Sequence, residues 1–241
     1  VGKPNPSIWE KLEWEPSKEQ LQQLIDLQCL LIKWNKKVNL TRLLMEDDYW
    51  INQIFDSLWP IKNQIGIQTD FHKCIDIGSG CGFPGLAIAI AQPSLQVTLV
   101  DSIAKKTNAL VKIICDLGLS SRVQVITQRI EIIGQSENYR EGFDLAIARA
   151  VASPAIVAEY LIPLLRSKGE GFLYRGKWTN DNKKELTKAL FLLNAQIKDI
   201  QRIELPNNRG ERNLIIIEST SKCPKSYPRL VGIPSKKPLG E

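Results

Sequence analysis

The sequence predicts an α/β fold: a mostly parallel seven-stranded sheet covered by helices, closed by a C-terminal antiparallel hairpin and preceded by an N-terminal helical extension. Three observations carry this. Between residues 73 and 219 short β-type runs alternate with helical ones, and such alternation requires crossovers between parallel strands. The loop Asp76-Ile-Gly78-Ser-Gly80-Cys-Gly82-Phe-Pro-Gly85 follows the first run and opens a helix, the arrangement of a Rossmann-like sheet. Before residue 73 no strand-like alternation occurs, whereas apolar residues recur at helical spacing.

Taken in order, Ser17 with Gln20 three positions on reads as a capping box, followed by Leu21, Leu24, Ile25, Leu27, Leu31 and Ile32 on one helical face. A second helix is expected over 47–61, burying Trp50, Ile51, Ile54, Phe55 and Leu58. Strands follow at 74–77, 97–100, 123–127, 144–147, 171–174 and 214–218, with helices at 85–91, 104–117, 130–137, 154–165 and 182–194. Residues 197–205 and 212–218 are joined by Pro206-Asn207-Asn208-Arg209-Gly210, a link with no room for a helix, and so form the hairpin. The expected division is a helical extension over 1–70, the α/β domain over 71–220 and a tail over 221–241. Residues 222–241 hold four prolines and five basic residues against one acid, which predicts a basic tail without a core of its own.

Composition excludes several classes. In 241 residues, 43% are hydrophobic and 24% charged, an ordinary globular balance, and the net charge is +6. The longest apolar run, 86–91, is too short to span a bilayer, and no signal-type segment opens the chain, so a cytoplasmic location is expected. The first residue is Val1 rather than methionine, so the natural N-terminus is expected to lie upstream. Five cysteines without a C-x-x-C pair predict buried reduced thiols rather than a disulfide framework or zinc site. The single histidine, His72, precedes an apolar strand, where a surface role is expected; no histidine-rich metal site is possible.

Four glycines in the eight residues 78–85 allow tight turns and close approach of a ligand to the backbone, ahead of a helix N-terminus with free N–H groups. Gly80-Cys-Gly82-Phe-Pro-Gly85 matches the dinucleotide pattern, and Asp101 ends the next strand, where a carboxylate accepts hydrogen bonds from ribose hydroxyls. Nicotinamide dinucleotides and S-adenosylmethionine share that ribose. Two features favour the methyl donor: Asp76 would repel a pyrophosphate but suits ammonium and sulfonium charges, and the hairpin fits a seven-stranded methyltransferase sheet. Glu131, after the third strand, stands where an acidic side chain meets an adenine edge, or equally where a helix carries a solvated first-turn acid. Arg149 finishes the fourth strand and is expected to point into the crevice, its planar fork suited to a carboxylate or phosphate.

Further segments occur in order: Trp34-Asn-Lys-Lys-Val-Asn-Leu-Thr41, Asp56-Ser-Leu58, Leu99-Val-Asp101-Ser102 with Lys105-Lys106, and Tyr227-Pro-Arg229 to Pro238-Leu239. With the glycine loop they strongly resemble the ribosomal RNA small subunit methyltransferase G family, also called glucose-inhibited division protein B, over nearly the whole chain. The resemblance implies a class I S-adenosylmethionine-dependent methyltransferase fold. It implies methyl transfer to N7 of one guanine in the decoding region of 16S ribosomal RNA. With no long heptad stripe or surplus apolar helix, a monomer is expected, and neither DNA nor membrane is expected as a partner. The resemblance also implies cofactor contacts at Gly78, Phe83, Ile130, Glu131 and Arg149, with Asp101 on the ribose. Two positions depart from the family: Gln53-Ile-Phe precedes Asp-Ser-Leu where the family often has a histidine, and Arg175-Gly176 replaces a lysine-glycine pair.

Guanine N7 has a lone pair and no proton, so no general base is required and no catalytic base is assigned. The RNA would be held as a group by Lys36, Lys37, Arg42, Arg175, Lys177, Arg209, Arg212, Lys225, Arg229, Lys236 and Lys237. Trp34 reads as helix packing. Deleting 222–241 is expected to weaken RNA binding and spare cofactor binding. The competing readings are a methyltransferase with another substrate and a cofactor-binding ribosome-assembly factor.

Overall fold

The computed structural model describes residues 4–65 and 71–240; the expected boundary at residue 70 lies outside the described residues. The chain opens with helices α1 (Ser7–Leu12) and α2 (Lys18–Asn35). The capping box forms: Ser17 Oγ accepts the Gln20 N–H at 3.1 Å and Gln20 Oε1 accepts the Ser17 N–H at 2.9 Å. One continuous helical run then covers α3 (Glu46–Tyr49), a π turn (Trp50–Phe55), α4 (Asp56–Leu58) and a 3-10 turn (Trp59–Gln64). Its buried side carries Trp50, Ile51, Ile54, Phe55 and Leu58, the face the periodicity predicts.

Seven strands make one sheet: β1 (Lys73–Ile77), β2 (Gln96–Asp101), β3 (Val123–Thr127), β4 (Phe143–Arg149), β5 (Leu165–Arg175), β6 (Ala195–Glu204) and β7 (Glu211–Ser219), in the order β3-β2-β1-β4-β5-β7-β6. β7 runs antiparallel between β5 and β6, and the five strands β1–β5 pair in parallel. The crossovers use α5 (Gly85–Ala91), α6 (Ala104–Asp116), α7 (Ile130–Gln135) and α8 (Pro154–Leu161); α9 (Asn180–Leu192) leads into β6. The chain builds outward from β1 to β3 and then returns to β4 on the other side. The strand order therefore reverses between β1 and β4, and a crevice opens at their carboxyl ends.

Alternate residues of the central strands face opposite cores. Cys74, Leu145 and Ile147 join α2, α5, α6 and the 46–64 run, through residues such as Leu24, Leu27, Leu31, Leu58, Ile88 and Leu110. Ile75, Ile77, Ala146 and Ala148 join α8 and α9 through Leu161, Leu186 and Leu190. The N-terminal helices thus share their core with the sheet and have none to themselves. Gln20 Nε2 ties α2 to α5 by donating to the carbonyls of Ile90 (3.0 Å) and Ala91 (3.2 Å).

Three expectations are corrected. The helix expected to reach residue 165 stops at Leu161 and gives way to a 3-10 turn, Ile162–Leu164, because Pro163 has no N–H to continue the α-helical hydrogen-bond ladder. β5 starts at Leu165 rather than 171, through a polar stretch whose composition carries no strand signal. The tail packs onto the α/β domain: Cys223, Pro234 and Leu239 are buried, and Cys223 and Leu239 belong to the second core. Its short helix α10 (Ile233–Lys236) packs against α8. All five cysteines are free, but only Cys74, Cys81 and Cys223 are buried; Cys29 and Cys115 are exposed. His72 is exposed, and its backbone N–H donates to Asp144 Oδ2 at 2.6 Å.

Candidate active-site cleft

The glycine loop leaves β1 at the switch point with Gly78, Gly80 and Gly82 all at positive φ. Two glycines show why the residue type is required. At Gly78 (φ +65°) a Cβ would stand 2.8 Å from Val151 Cγ2; at Gly85 it would stand 2.4 Å from Leu99 Cδ2 and 2.8 Å from Asp76 Oδ2. The loop is pinned from β2: Asp101 Oδ2 accepts the Gly80 N–H at 2.9 Å and Asp101 Oδ1 accepts the Ile103 N–H at 2.8 Å. The Phe83–Pro84 peptide is cis.

Two chambers meet at this loop and share Gly78, Asp101 and Ala150. The smaller, about 340 Å³, has apolar walls from Ile77, Val100, Ile130 and Val151, with Gln128, Tyr160 and Ser235 at its polar edge. The larger, about 850 Å³, lies between the loop residues Ser79–Phe83, the 46–64 run (Asn52, Gln53, Asp56) and the carboxyl ends of β4 and β5 (Arg149, Tyr174, Arg175). A further cavity of about 360 Å³ lies at the opposite, amino-terminal strand edge beside Lys73 and Arg122, remote from the loop.

Arg149 is the hub of the larger chamber. Its Nη1 donates to the Asn52 carbonyl at 3.0 Å and to Asp56 Oδ2 at 3.2 Å, its Nη2 donates to Gln53 Oε1, and its guanidinium lies 5.8 Å from the Phe83 ring centroid. Asp56 is also 3.2 Å from Arg212 Nε, so one buried carboxylate bridges two arginines from β4 and β7. The π turn places Asn52, Gln53 and Asp56 together on the cleft wall, where π geometry frequently marks a functional position. The place of Arg149 at a strand end predicts a side chain in the crevice, but nothing in the sequence predicts Gln53 as its partner. The pair is 96 residues apart and carries no local pattern.

The other expected residues distribute unevenly. Gly78, Phe83, Asp101 and Arg149 line the larger chamber, and Gly78, Asp101 and Ile130 the smaller. The Glu131 side chain is not in either; it is 2% exposed and accepts from Arg129 Nη2 (3.1 Å), the Gly232 N–H (3.0 Å) and the Tyr160 hydroxyl (3.3 Å). Asp76, expected at the loop's leading edge, lies fully buried behind it and accepts the Gly85 N–H at 2.8 Å. Of the expected RNA-facing cations, Arg175, Lys177 and Arg212 line the larger chamber, joined by Lys106, with Arg42 exposed beside it. Lys36, Lys37, Lys225, Lys236 and Lys237 are exposed, whereas Arg209 pairs with Asp47 and Asp48, and Arg229 with buried Glu159. Trp34 packs against the first core as expected, with Lys37 Nζ 5.4 Å from its ring centroid.

The residues present fit an amino-acid-bearing nucleoside. Buried Ser79 Oγ in the loop and Asn52 Oδ1 on the facing wall have no hydrogen-bond partner among the described residues, and both residues line the larger chamber. Asp101 stands where the chambers meet, with lone pairs beyond its two backbone contacts. Among the described residues no cluster of His, Cys, Asp and Glu suits a metal ion, and no helix is long and apolar enough to cross a membrane.

Burial raises the Asp76 carboxyl from 3.8 to about 7, against the lowering effects of the Gly85 N–H and Arg149. A raised carboxyl stabilises nothing at high pH. Below about 4 both folded and unfolded chains are protonated, between about 4 and 7 only the unfolded chain ionises, and above about 7 the full penalty stands. Relative to an Asp76→Asn variant, the wild type should therefore lose on the order of 4 kcal/mol as pH rises from 4 to 8. Urea unfolding of both proteins across that range checks this; a stability difference independent of pH would rule it out.

A family model described as rRNA small subunit methyltransferase G matches residues 20–215. The ribosomal RNA small subunit methyltransferase G of Synechococcus sp. (strain CC9311) is 52% identical over 235 residues, covering 98% of this chain and 92% of the relative. That of Prochlorococcus marinus (strain MIT 9313) is 51% identical over 237 residues, covering 98% and 96%. Solved structures share the fold at low identity. A Klebsiella pneumoniae protein assigned to the O-methyltransferases is 10% identical with a TM-score of 0.55, covering 81% of this chain and 90% of its own. The O-methyltransferase NcsB1 of neocarzinostatin biosynthesis, solved with S-adenosylmethionine and 2-hydroxy-5-methyl naphthoic acid, is 15% identical with a TM-score of 0.50, covering 68% and 56%.

Proposed function

Because this chain belongs to the ribosomal RNA small subunit methyltransferase G family, we propose that it methylates N7 of a single guanine in the decoding region of 16S ribosomal RNA, with S-adenosylmethionine as donor. The observation that carries the cofactor is the pair of chambers joined at Gly78 and Asp101. Val100, Ile130 and Val151 would enclose the adenine, Asp101 would accept from the ribose hydroxyls, and Gly78, Phe83 and Arg149 would hold the methionine end. The bound cofactor supplies an electrophilic methyl on a sulfonium, which needs no acid to leave.

The side chains around the larger chamber suit an acceptor without a proton. Asp56 is held by two arginines, Asp101 by two backbone N–H groups, and the only histidine of the chain lies before β1, at the opposite end of the strand from the loop. None of these is a free base, and N7 requires none. The protein's work is alignment and exclusion of water, which supplies roughly 7–11 kcal/mol of barrier reduction in well-oriented systems. N7 is an acceptor that arginine commonly reads, so a cleft that keeps Arg149 and Arg212 occupied with Asp56 leaves N7 open to the methyl. Arg175, Lys177 and Lys106 at the rim, with Lys36, Lys37 and Arg42, would take the RNA phosphates.

Transfer of labelled methyl to small ribosomal subunits lacking the modification, followed by nuclease mapping, tests the whole reading. Label on N7 of one decoding-region guanine is the expected result. Label on another RNA position would keep the enzyme and change the substrate; cofactor binding without any transfer would favour an assembly factor.

A further inference from the structure

The C-terminal segment was expected to serve RNA alone, yet its anchors converge on the elements that frame the smaller chamber. Arg229 grips fully buried Glu159 on α8 with Nε at 2.9 Å and Nη2 at 2.7 Å, and its backbone N–H donates to the same carboxylate at 2.8 Å. Arg140 donates to four carbonyls, those of Cys223 (2.9 Å), Pro224 (3.1 Å) and Tyr227 (2.6 Å) in the tail and Gly134 (3.1 Å) on α7. Gln135 of α7 donates to the carbonyl of Pro228 at 2.7 Å, and a Cβ on Gly134 would lie 2.6 Å from Pro228 Cγ. Glu131, turned away from the cleft, accepts the Gly232 N–H. These contacts deliver Ser235 to the chamber wall, its Oγ 3.5 Å from the Tyr160 hydroxyl that also lines it.

We propose that the segment 227–237 is the outer wall of the nucleoside chamber, so that cofactor affinity depends on the tail, with Ser235 and Tyr160 presenting hydroxyls to the purine. The inference rests on the cofactor reading above. A purine edge offers both donors and acceptors: the Ser235 hydroxyl rotates to meet either, and Tyr160, whose proton goes to Glu131, accepts. The other walls of the chamber are β-strand ends, the loop after β4, the start of α7 and Tyr160 of α8, and Ser235 is the residue by which the tail completes its polar edge. Lys236 and Lys237 follow Ser235 directly and are exposed, so phosphates bound there would sit one residue from the cofactor wall. By linkage, a ligand that prefers the closed wall also holds the tail in place.

Calorimetric titration with S-adenosylhomocysteine, which needs no RNA, decides the matter. Ser235 is exposed and lines the chamber, so Ser235→Trp adds an indole at the chamber edge without burying one in the core. Its dissociation constant should rise about tenfold or more, with the unfolding transition unchanged. A chain lacking 222–241 should show at least the same loss. In the wild type, S-adenosylhomocysteine should slow tryptic cleavage after Lys236. Binding by Ser235→Trp within about twofold of wild type would overturn the inference, whether or not the shortened chain folds. Failure of the wild type itself to bind would instead overturn the cofactor reading.

Discussion

An Asp101→Ala variant is expected to bind S-adenosylmethionine about tenfold more weakly or worse, the effect of losing charge-assisted hydrogen bonds to two ribose hydroxyls. The structure adds a second reason for a large effect. The same carboxylate holds the Gly80 N–H at 2.9 Å and the Ile103 N–H at 2.8 Å, so its removal also frees the glycine loop from the end of β2. An Asp101→Asn variant separates the two contributions, since one amide oxygen still accepts from a backbone N–H while the charge is gone. Asparagine should fall between wild type and alanine. Titration calorimetry on all three proteins makes the comparison, and an alanine variant equal to wild type within error would remove Asp101 from the site.

The largest stability effect is expected at Arg229. Glu159 is fully buried, and Arg229 is its charge partner through two side-chain hydrogen bonds. Arg229→Ala leaves the buried Glu159 carboxyl without its charge partner, a change that typically costs about 3–5 kcal/mol. At about 2–4 °C per kcal/mol for a chain of this size, Tm should fall by roughly 6–20 °C. Arg229→Lys keeps the charge but not the fork that grips both carboxylate oxygens, and should recover only part of the loss. The double variant Arg229→Ala, Glu159→Gln should be more stable than Arg229→Ala alone, because the charge needing compensation has gone. A single alanine variant within about 1 kcal/mol of wild type would show that the pair is screened despite its burial.

Much of the architecture was legible because it depends on local pattern. The Ser17 cap, the buried face of the 46–64 run, the strand starts near 74, 97 and 123 and the final hairpin all follow from residue type and spacing, and the structure has each of them. The glycine loop was legible for the same reason: positive φ at three of its glycines demands the residue type that marks it. The start of β5 was not legible, because the local pattern there is silent. The first half of β5, Leu165 to Glu170, is polar and strand-like only through its place beside β4.

For the site, the sequence by itself determined where the crevice opens and that the glycine loop, Asp101 and Arg149 stand beside it. Gly78, Phe83, Asp101 and Arg149 stand at or just after strand ends beside a switch in strand order, and that topology follows from the alternation of strands and helices. Which way a side chain turns once there depends on partners distant in the chain, and only the tertiary structure decided it. Glu131 turns to the Gly232 N–H 101 residues on, Arg149 to Gln53 and Asp56, and Arg229, read as a phosphate contact, to a carboxylate 70 residues before it. A buried charge must find a counter-charge or a hydrogen bond, and the fold, not the spacing, sets which one is within reach.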